Sequence, residues 1–186
     1  MIKPEFLTAS QCCLYVVDPQ ERLMAHIHEA DQVVRNISLM IHLVRTLDIP
    51  VITSTQYKKG VGPIIPELAA LLGDIACPDK MEFNGLDNQG VNAFLNRLSV
   101  EVNTILLCGV ETHICIYQSA IGALRQGYEV RVVADAVSSR NPVNDHLGQE
   151  RLRELGVVLT PAEMIIYELL RKAGTPEFKT MLPLLK

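Results

Sequence analysis

The sequence has no tryptophan, no Cys-x-x-Cys pair, no long apolar run and no excess of positive charge. The missing tryptophan carries no functional meaning, but each of the other gaps removes a class of protein. The apolar runs fall short of the roughly 20 residues that a membrane-spanning helix needs, so no membrane partner is expected. The N-terminal Met-Ile-Lys-Pro-Glu-Phe lacks an apolar signal core and predicts a chain that is not exported. Net charge is −4 and the basic residues are scattered. That argues against nucleic acid, because phosphate binding needs a concentrated basic face. The five cysteines are odd in number and several lie in apolar strands, which reads as a reduced, cytoplasmic chain rather than a disulfide framework. No Gly-x-Gly-x-x-Gly follows the first strand and no phosphate-loop lysine motif occurs, so no nucleotide cofactor is supported. His26-x-His28 has no further clustered ligands and reads as surface; no metal and no other cofactor is expected.

What is present is apolar and periodic. Hydrophobic residues make up 48% of the 186, enough for one domain over residues 1–186 with a full core. Strand and helix signals alternate. Strands are predicted at Cys12 to Val17, Pro50 to Thr53, Thr104 to Cys108, Glu129 to Ala134 and Val157 to Leu159. Helical spacing runs through Ala30 to Leu47, with Val33, Ile37, Met40, Ile41 and Val44 on one face, and recurs at Pro66 to Leu72, Val91 to Leu98, Ile114 to Arg125 and Asp145 to Leu155. Thr160-Pro161-Ala162-Glu163 reads as a capping box with Thr160 as N-cap, and the tail from Thr175 as a last helix. Gly73 to Gly90, rich in Gly, Pro, Asp and Asn, reads as a long functional loop. Strands without inner polar alternation, each followed by a helix, predict an α/β fold with a parallel sheet covered on both faces. Ligands of such sheets bind beyond the carboxyl ends of the strands. Three polar features fall near those ends: Asp18, the segment 54–59 and the turn 109–115.

The stretch Cys-Gly-Val-Glu-Thr-His-Ile-Cys-Ile at 108–116 is the most informative in the chain. It runs from a buried strand through glycine to Cys115 at a helix start. Free N–H groups and the helix dipole there favour a thiolate and can hold an oxyanion. A depressed Cys115 pKa is the expectation. Asp18, ending the first strand, is a carboxylate able to accept the thiol proton. Lys80, in the long loop, is a cation that would support both. His113 is a poor partner, since an offset of two residues points side chains apart on a helix.

Val-Val-Asp-Pro-Gln at 16–20, Lys-Met-Glu-Phe at 80–83 and Cys-Gly-Val-Glu-Thr-His-Ile-Cys-Ile at 108–116 together resemble the isochorismatase-like cysteine hydrolases, over nearly the whole chain. Thr-Gln-Tyr-Lys-Lys-Gly-Val-Gly-Pro-Ile-Ile-Pro-Glu-Leu at 55–68 is similar to the subgroup typified by the animal isochorismatase domain-containing proteins, most of them without an assigned substrate. The resemblance implies a three-layer α/β/α fold with a doubly wound, mostly parallel sheet and a Cys115–Asp18–Lys80 triad. It also implies a cis peptide at Val110–Glu111 and an oxyanion hole from the backbone of Glu111 and Cys115. Asp135, within Val-Val-Ala-Asp-Ala-Val at 132–137, is read as structural. Where nicotinamidases of the family carry an Asp-x-His metal motif, this chain has Thr55-Gln56-Tyr57-Lys58, against a metal-dependent nicotinamidase. True isochorismatases lack the nucleophilic cysteine, so Cys115 argues against vinyl-ether cleavage.

The expected function is hydrolysis of a small-molecule C–N bond of carboxamide type through an acyl-enzyme. Gln20, Leu23, Gln56, Tyr57, Phe83 and Glu111 are candidate pocket residues, and homo-oligomerisation is the family expectation. An idle scaffold that binds a small molecule or a partner chain is the alternative. A redox-sensing thiol ranks below both, because Cys108 is placed inside a strand and the other cysteines are distant in sequence.

Overall fold

The computed structural model describes residues 6–186; Met1 to Glu5, part of the segment read above for a signal core, lie outside the described residues. Six strands form one sheet: β1 (Cys12–Val17), β2 (Val51–Gln56), β3 (Asp79–Lys80), β4 (Thr104–Val110), β5 (Glu129–Ser138) and β6 (Val158–Thr160). Their order is β3-β2-β1-β4-β5-β6 and every neighbouring pair is parallel. The helices are α1 (Glu21–Met24), α2 (Ala30–Thr46), α3 (Lys58–Val61), α4 (Pro66–Leu72), α5 (Gln89–Leu95), α6 (Tyr117–Arg125), α7 (Pro142–Glu154), α8 (Ala162–Leu170) and α9 (Pro176–Met181).

β1 shows why its sequence lacks alternation. Cys12, Leu14 and Val16 pack under α2, α4, α8 and α9, while Cys13, Tyr15 and Val17 pack under α5, α6 and α7. Both faces are covered, so both sets must be apolar. α2 buries Val33, Ile37, Met40, Ile41 and Val44 as its periodicity predicts. Thr175 caps α9 through a bond from the Phe178 N–H, and Met181 reaches the core. None of the helices among the described residues is long and apolar enough to cross a membrane.

Three expectations need correction. Lys80 does not lie in a loop: Asp79–Lys80 is a strand that pairs with Thr55 and Gln56 at the sheet edge. Two residues beside Pro78 carry no periodicity to reveal it. Thr160 is not an N-cap; it ends β6, and Pro161 holds the cap position. The Ala162 N–H is satisfied instead by the Asp135 carboxylate at 2.7 Å, a cap brought in from β5. β5 itself runs to Ser138, because it resumes pairing with β4 after a bulge opposite Leu107 to Gly109.

The strand order places the topological switch point between β1 and β4, where the connections leave in opposite directions and the carboxyl ends frame a crevice. Gly109 lets the two strands meet there. Its φ is +117°, and a Cβ would lie 2.0 Å from the Val17 carbonyl oxygen.

Four of the thiols are buried, which has a measurable consequence. Desolvation pushes Cys12 up to about 11 and Cys13 to about 12, and raises Cys108 further still. A thiol whose folded pKa lies above its unfolded value stabilises fully below the unfolded value of 9.0 and loses that contribution as pH rises toward the folded one. Urea unfolding is therefore expected to show steady stability up to pH about 9 and then a fall of up to about 1.4 kcal/mol per pH unit per thiol. Equal stability at pH about 8 and about 10.5 would contradict this.

Candidate active site

At the end of β1 the chain turns through Asp18, which adopts φ 52° and is fully buried. Its two carboxylate oxygens are held separately. Oδ1 accepts from the Ser54 hydroxyl at 2.7 Å, and Oδ2 accepts from Lys80 Nζ at 2.6 Å. The β3–β2 pairing delivers Lys80 to this point. Its ammonium is buried and also donates to Gln56 Oε1 at 2.6 Å and to the Glu82 carbonyl at 3.2 Å. The same Nζ lies 3.8 Å from Cys115 Sγ. Three side chains from separate elements thus converge beyond the carboxyl ends of β1, β2 and β4.

Cys115 is 5% exposed. It sits not in the first turn of an α-helix but in a π-helical turn, Thr112–Ile116, that leads into α6. The Val110–Glu111 peptide before this turn is cis. The turn is braced from outside: Gly148 of α7 lies against His113 and Thr112, and the Thr112 hydroxyl bonds Asp145. His113 is occupied elsewhere, with Nδ1 2.8 Å from the Ser139 hydroxyl.

The expected depression of the Cys115 pKa is overturned. Burial, followed by the negative charge of Asp18, pushes the thiol up to about 12, and Lys80 recovers only part of that. The helix-start argument considered position along the chain; depth and the neighbouring carboxylate dominate. The resting site is therefore a neutral thiol beside a carboxylate–ammonium pair.

The expected pocket residues separate into two groups. Gln20 is buried and spent: its Oε1 accepts from the Gln56 N–H, and its Nε2 donates to the Gln56 and Gly62 carbonyls. It is a strut under the site rather than a wall of it. Leu23 packs against the core on the α2 side, and Gln56 holds Lys80 and the Met81 carbonyl. Tyr57 and Phe83, at 46% and 52% exposure, flank the Lys80 segment and present apolar surface to solvent. Glu111 is buried, and its Oε2 accepts from both the backbone N–H and Nε of Arg140, at 2.9 and 3.1 Å. Sequence reasoning marked Ser54 only as the start of the polar segment 54–59, with no role of its own, and missed Tyr15. The signal available for Ser54 was a polar residue inside a buried strand, and for Tyr15 a hydroxyl in an otherwise apolar one.

A cavity of about 500 Å³ lies elsewhere, between α2 and α8, lined by Asp31, Arg35, Asp135 and Glu163, and none of the three converging side chains reaches it. No group of three or more His, Cys, Asp or Glu among the described residues is placed to hold a metal ion.

Residues 12–164 match the isochorismatase domain. The chain belongs to the isochorismatase family. Among its isochorismatase relatives, the secreted isochorismatase effector Isc1 of Phytophthora sojae is 35% identical over 93% of this chain and 83% of its own length. Isochorismatase domain-containing protein 2 of Xenopus laevis is 36% identical over 89% of this chain and 79% of its own. The solved structure of the MAR1 ribonuclease from Caenorhabditis elegans superposes with a TM-score of 0.90 at 29% identity, covering 97% of this chain and 92% of its own. The six-stranded parallel sheet with helices on both faces is the isochorismatase-like α/β fold.

Proposed function

We propose that the chain is a cysteine-dependent hydrolase that cleaves the C–N bond of a small carboxamide through a covalent acyl-enzyme. The observation that carries this reading is the meeting of Asp18, Lys80 and Cys115, with Nζ 2.6 Å from the carboxylate and 3.8 Å from the sulfur. A buried ion pair is expensive to assemble and is weak evidence of stability for its own sake; beside a thiol it has chemistry to do.

The raised Cys115 pKa supports a particular order of events. The nucleophile is made on demand: as Sγ attacks the carbonyl carbon, its proton passes to Asp18 and the carbonyl oxygen takes up the charge. Backbone N–H groups of Glu111 and Cys115 stabilise that oxyanion. Collapse breaks the C–N bond, with the proton returned from Asp18 to the leaving nitrogen, and leaves a thioester on Cys115. Water then attacks the thioester while Asp18 again takes a proton; the C–S bond breaks as Asp18 hands that proton to the departing sulfur, which releases the acid and restores the thiol and the carboxylate. Lys80 holds the Asp18 carboxylate in place through the 2.6 Å contact and balances the transient thiolate. No cofactor takes part.

Tyr57 and Phe83 form the apolar rim of the substrate mouth. The ribonuclease name of the C. elegans neighbour is not carried over, since this chain has a net charge of −4 and its basic residues are scattered along the sequence. The deciding experiment presents a panel of small primary carboxamides and follows ammonia release together with intact mass. Release with a transient acyl mass on the Cys115 peptide is expected. A panel without release, on protein whose Cys115 accepts iodoacetamide, favours the scaffold reading instead.

A further inference from the structure

Beside Asp18, a second hydrogen-bond chain is fully buried and plays no part in the reaction just described. Tyr15 Oη donates to Ser54 Oγ at 2.9 Å, and Ser54 Oγ donates to Asp18 Oδ1 at 2.7 Å. The direction of both bonds is fixed by chemistry. An ionised carboxylate only accepts, so the Ser54 hydroxyl must donate to it. The lone pairs of Ser54 then face the tyrosine, which must donate in turn. Tyr15 is among the largest fully buried side chains. The surroundings reserve space for its hydroxyl: a Cβ on Gly85 would lie 2.1 Å from Tyr15 Oη. Gly85 is itself pinned to α6 through its N–H on the Ser119 hydroxyl at 2.9 Å.

We infer that Tyr15 and Ser54 are positioning residues that fix the Asp18 carboxylate and set how readily it takes the proton of Cys115. The inference rests on the proposed role of Asp18 as base. With Oδ1 tied to Ser54 and Oδ2 to Lys80, the carboxylate cannot rotate, and its orientation toward the sulfur is settled before substrate arrives. Tyr15 acts only through Ser54, by holding the serine hydroxyl in its donating orientation. Tyr15 keeps its own proton, since burial and then the charge of Asp18 raise its pKa well above the ordinary value. The other titratable groups facing this cluster are Lys80 and Cys115, with Cys77 and Glu111 at longer range.

The test reads the thiol directly and needs no substrate. Iodoacetamide labelling of the Cys115 peptide is followed by mass spectrometry across pH. Wild type is expected to show an acid limb in the labelling rate, and Asp18→Asn removes the limb. Ser54→Ala moves the limb up by about one pH unit, the size expected for one hydrogen bond to a charged group. Tyr15→Phe moves it the same way by less, Ser54→Thr restores it, and the double variant behaves as Ser54→Ala alone. A merely structural role would leave the limb in place. If Ser54→Ala does not fold, Tyr15→Phe, which keeps the ring, decides alone. A wild-type limb that stays put in the folded variants overturns the positioning role and leaves the hydrolase reading intact. A wild type with no limb removes Asp18 as base and the inference with it.

Discussion

Lys80→Met is expected to lower the unfolding free energy by about 3–5 kcal/mol, the usual cost of breaking a buried ion pair from one side. Lys80 and Asp18 are 2.6 Å apart and both side chains are 0% exposed. Removing the ammonium leaves an ionised carboxylate among apolar groups with the Ser54 hydroxyl as its remaining donor on Oδ1, and leaves Gln56 Oε1 and the Glu82 carbonyl without their shared partner. Asp18→Asn strands the ammonium in the same way. The two losses have one cause, so they are not additive. The double variant Asp18→Asn/Lys80→Met is expected to lose less than the sum of the singles by at least about 1 kcal/mol, the coupling typical of residues in direct contact. Urea denaturation of the four proteins at one pH measures this. Strict additivity would mean that the two side chains are not an ion pair in solution.

The second large effect is on chemistry. Cys115→Ala and Cys115→Ser are each expected to reduce turnover of a carboxamide substrate by at least about 10³-fold, as loss of a nucleophile does in enzymes whose catalytic groups act as a unit. Alanine removes the attacking atom. Serine retains an attacking atom at the same position but presents a hydroxyl, a far weaker acid than a thiol, to a base already restrained by two donors. Neither change should cost much stability, because the side chain is small. Retained turnover in Cys115→Ala would sink the acyl-enzyme reading. Turnover retained in Cys115→Ser alone would move the nucleophile to oxygen chemistry and point to a stronger base than Asp18 as placed.

The sheet was legible because its residues obey two simple periods. β1 and β4 are apolar on both faces, and α2 repeats Val33, Ile37, Met40, Ile41 and Val44 at helical spacing. β3 was not legible, since a strand of two residues has no period and forms only because β2 offers an edge. Thr160 and Pro161 look like a capping box, yet the cap comes from Asp135 across the fold, which no local pattern can reveal. At the site, three separated motifs pointed to Asp18, Lys80 and Cys115, and these residues do meet. What the sequence could not supply was depth. Helix position suggested an acidic thiol, while burial at 5% exposure and an adjacent carboxylate make it a weakly acidic one. Gln20 misled for a related reason: a polar residue near a strand end can line a pocket or brace its floor, and only its bonds to Gln56 and Gly62 tell which.

The edge position of β3 has a further consequence. Asp18 and the strand leading to Cys115 belong to the sheet's centre, where β1 and β4 share six register pairs, whereas Lys80 hangs on a ladder of two. Local fluctuations concentrate where cooperative pairing is shortest. Fraying of that margin is expected to withdraw the ammonium while Asp18 and Cys115 stay seated, so how long the three side chains stay together is set by a small peripheral unit rather than by the durability of the whole domain.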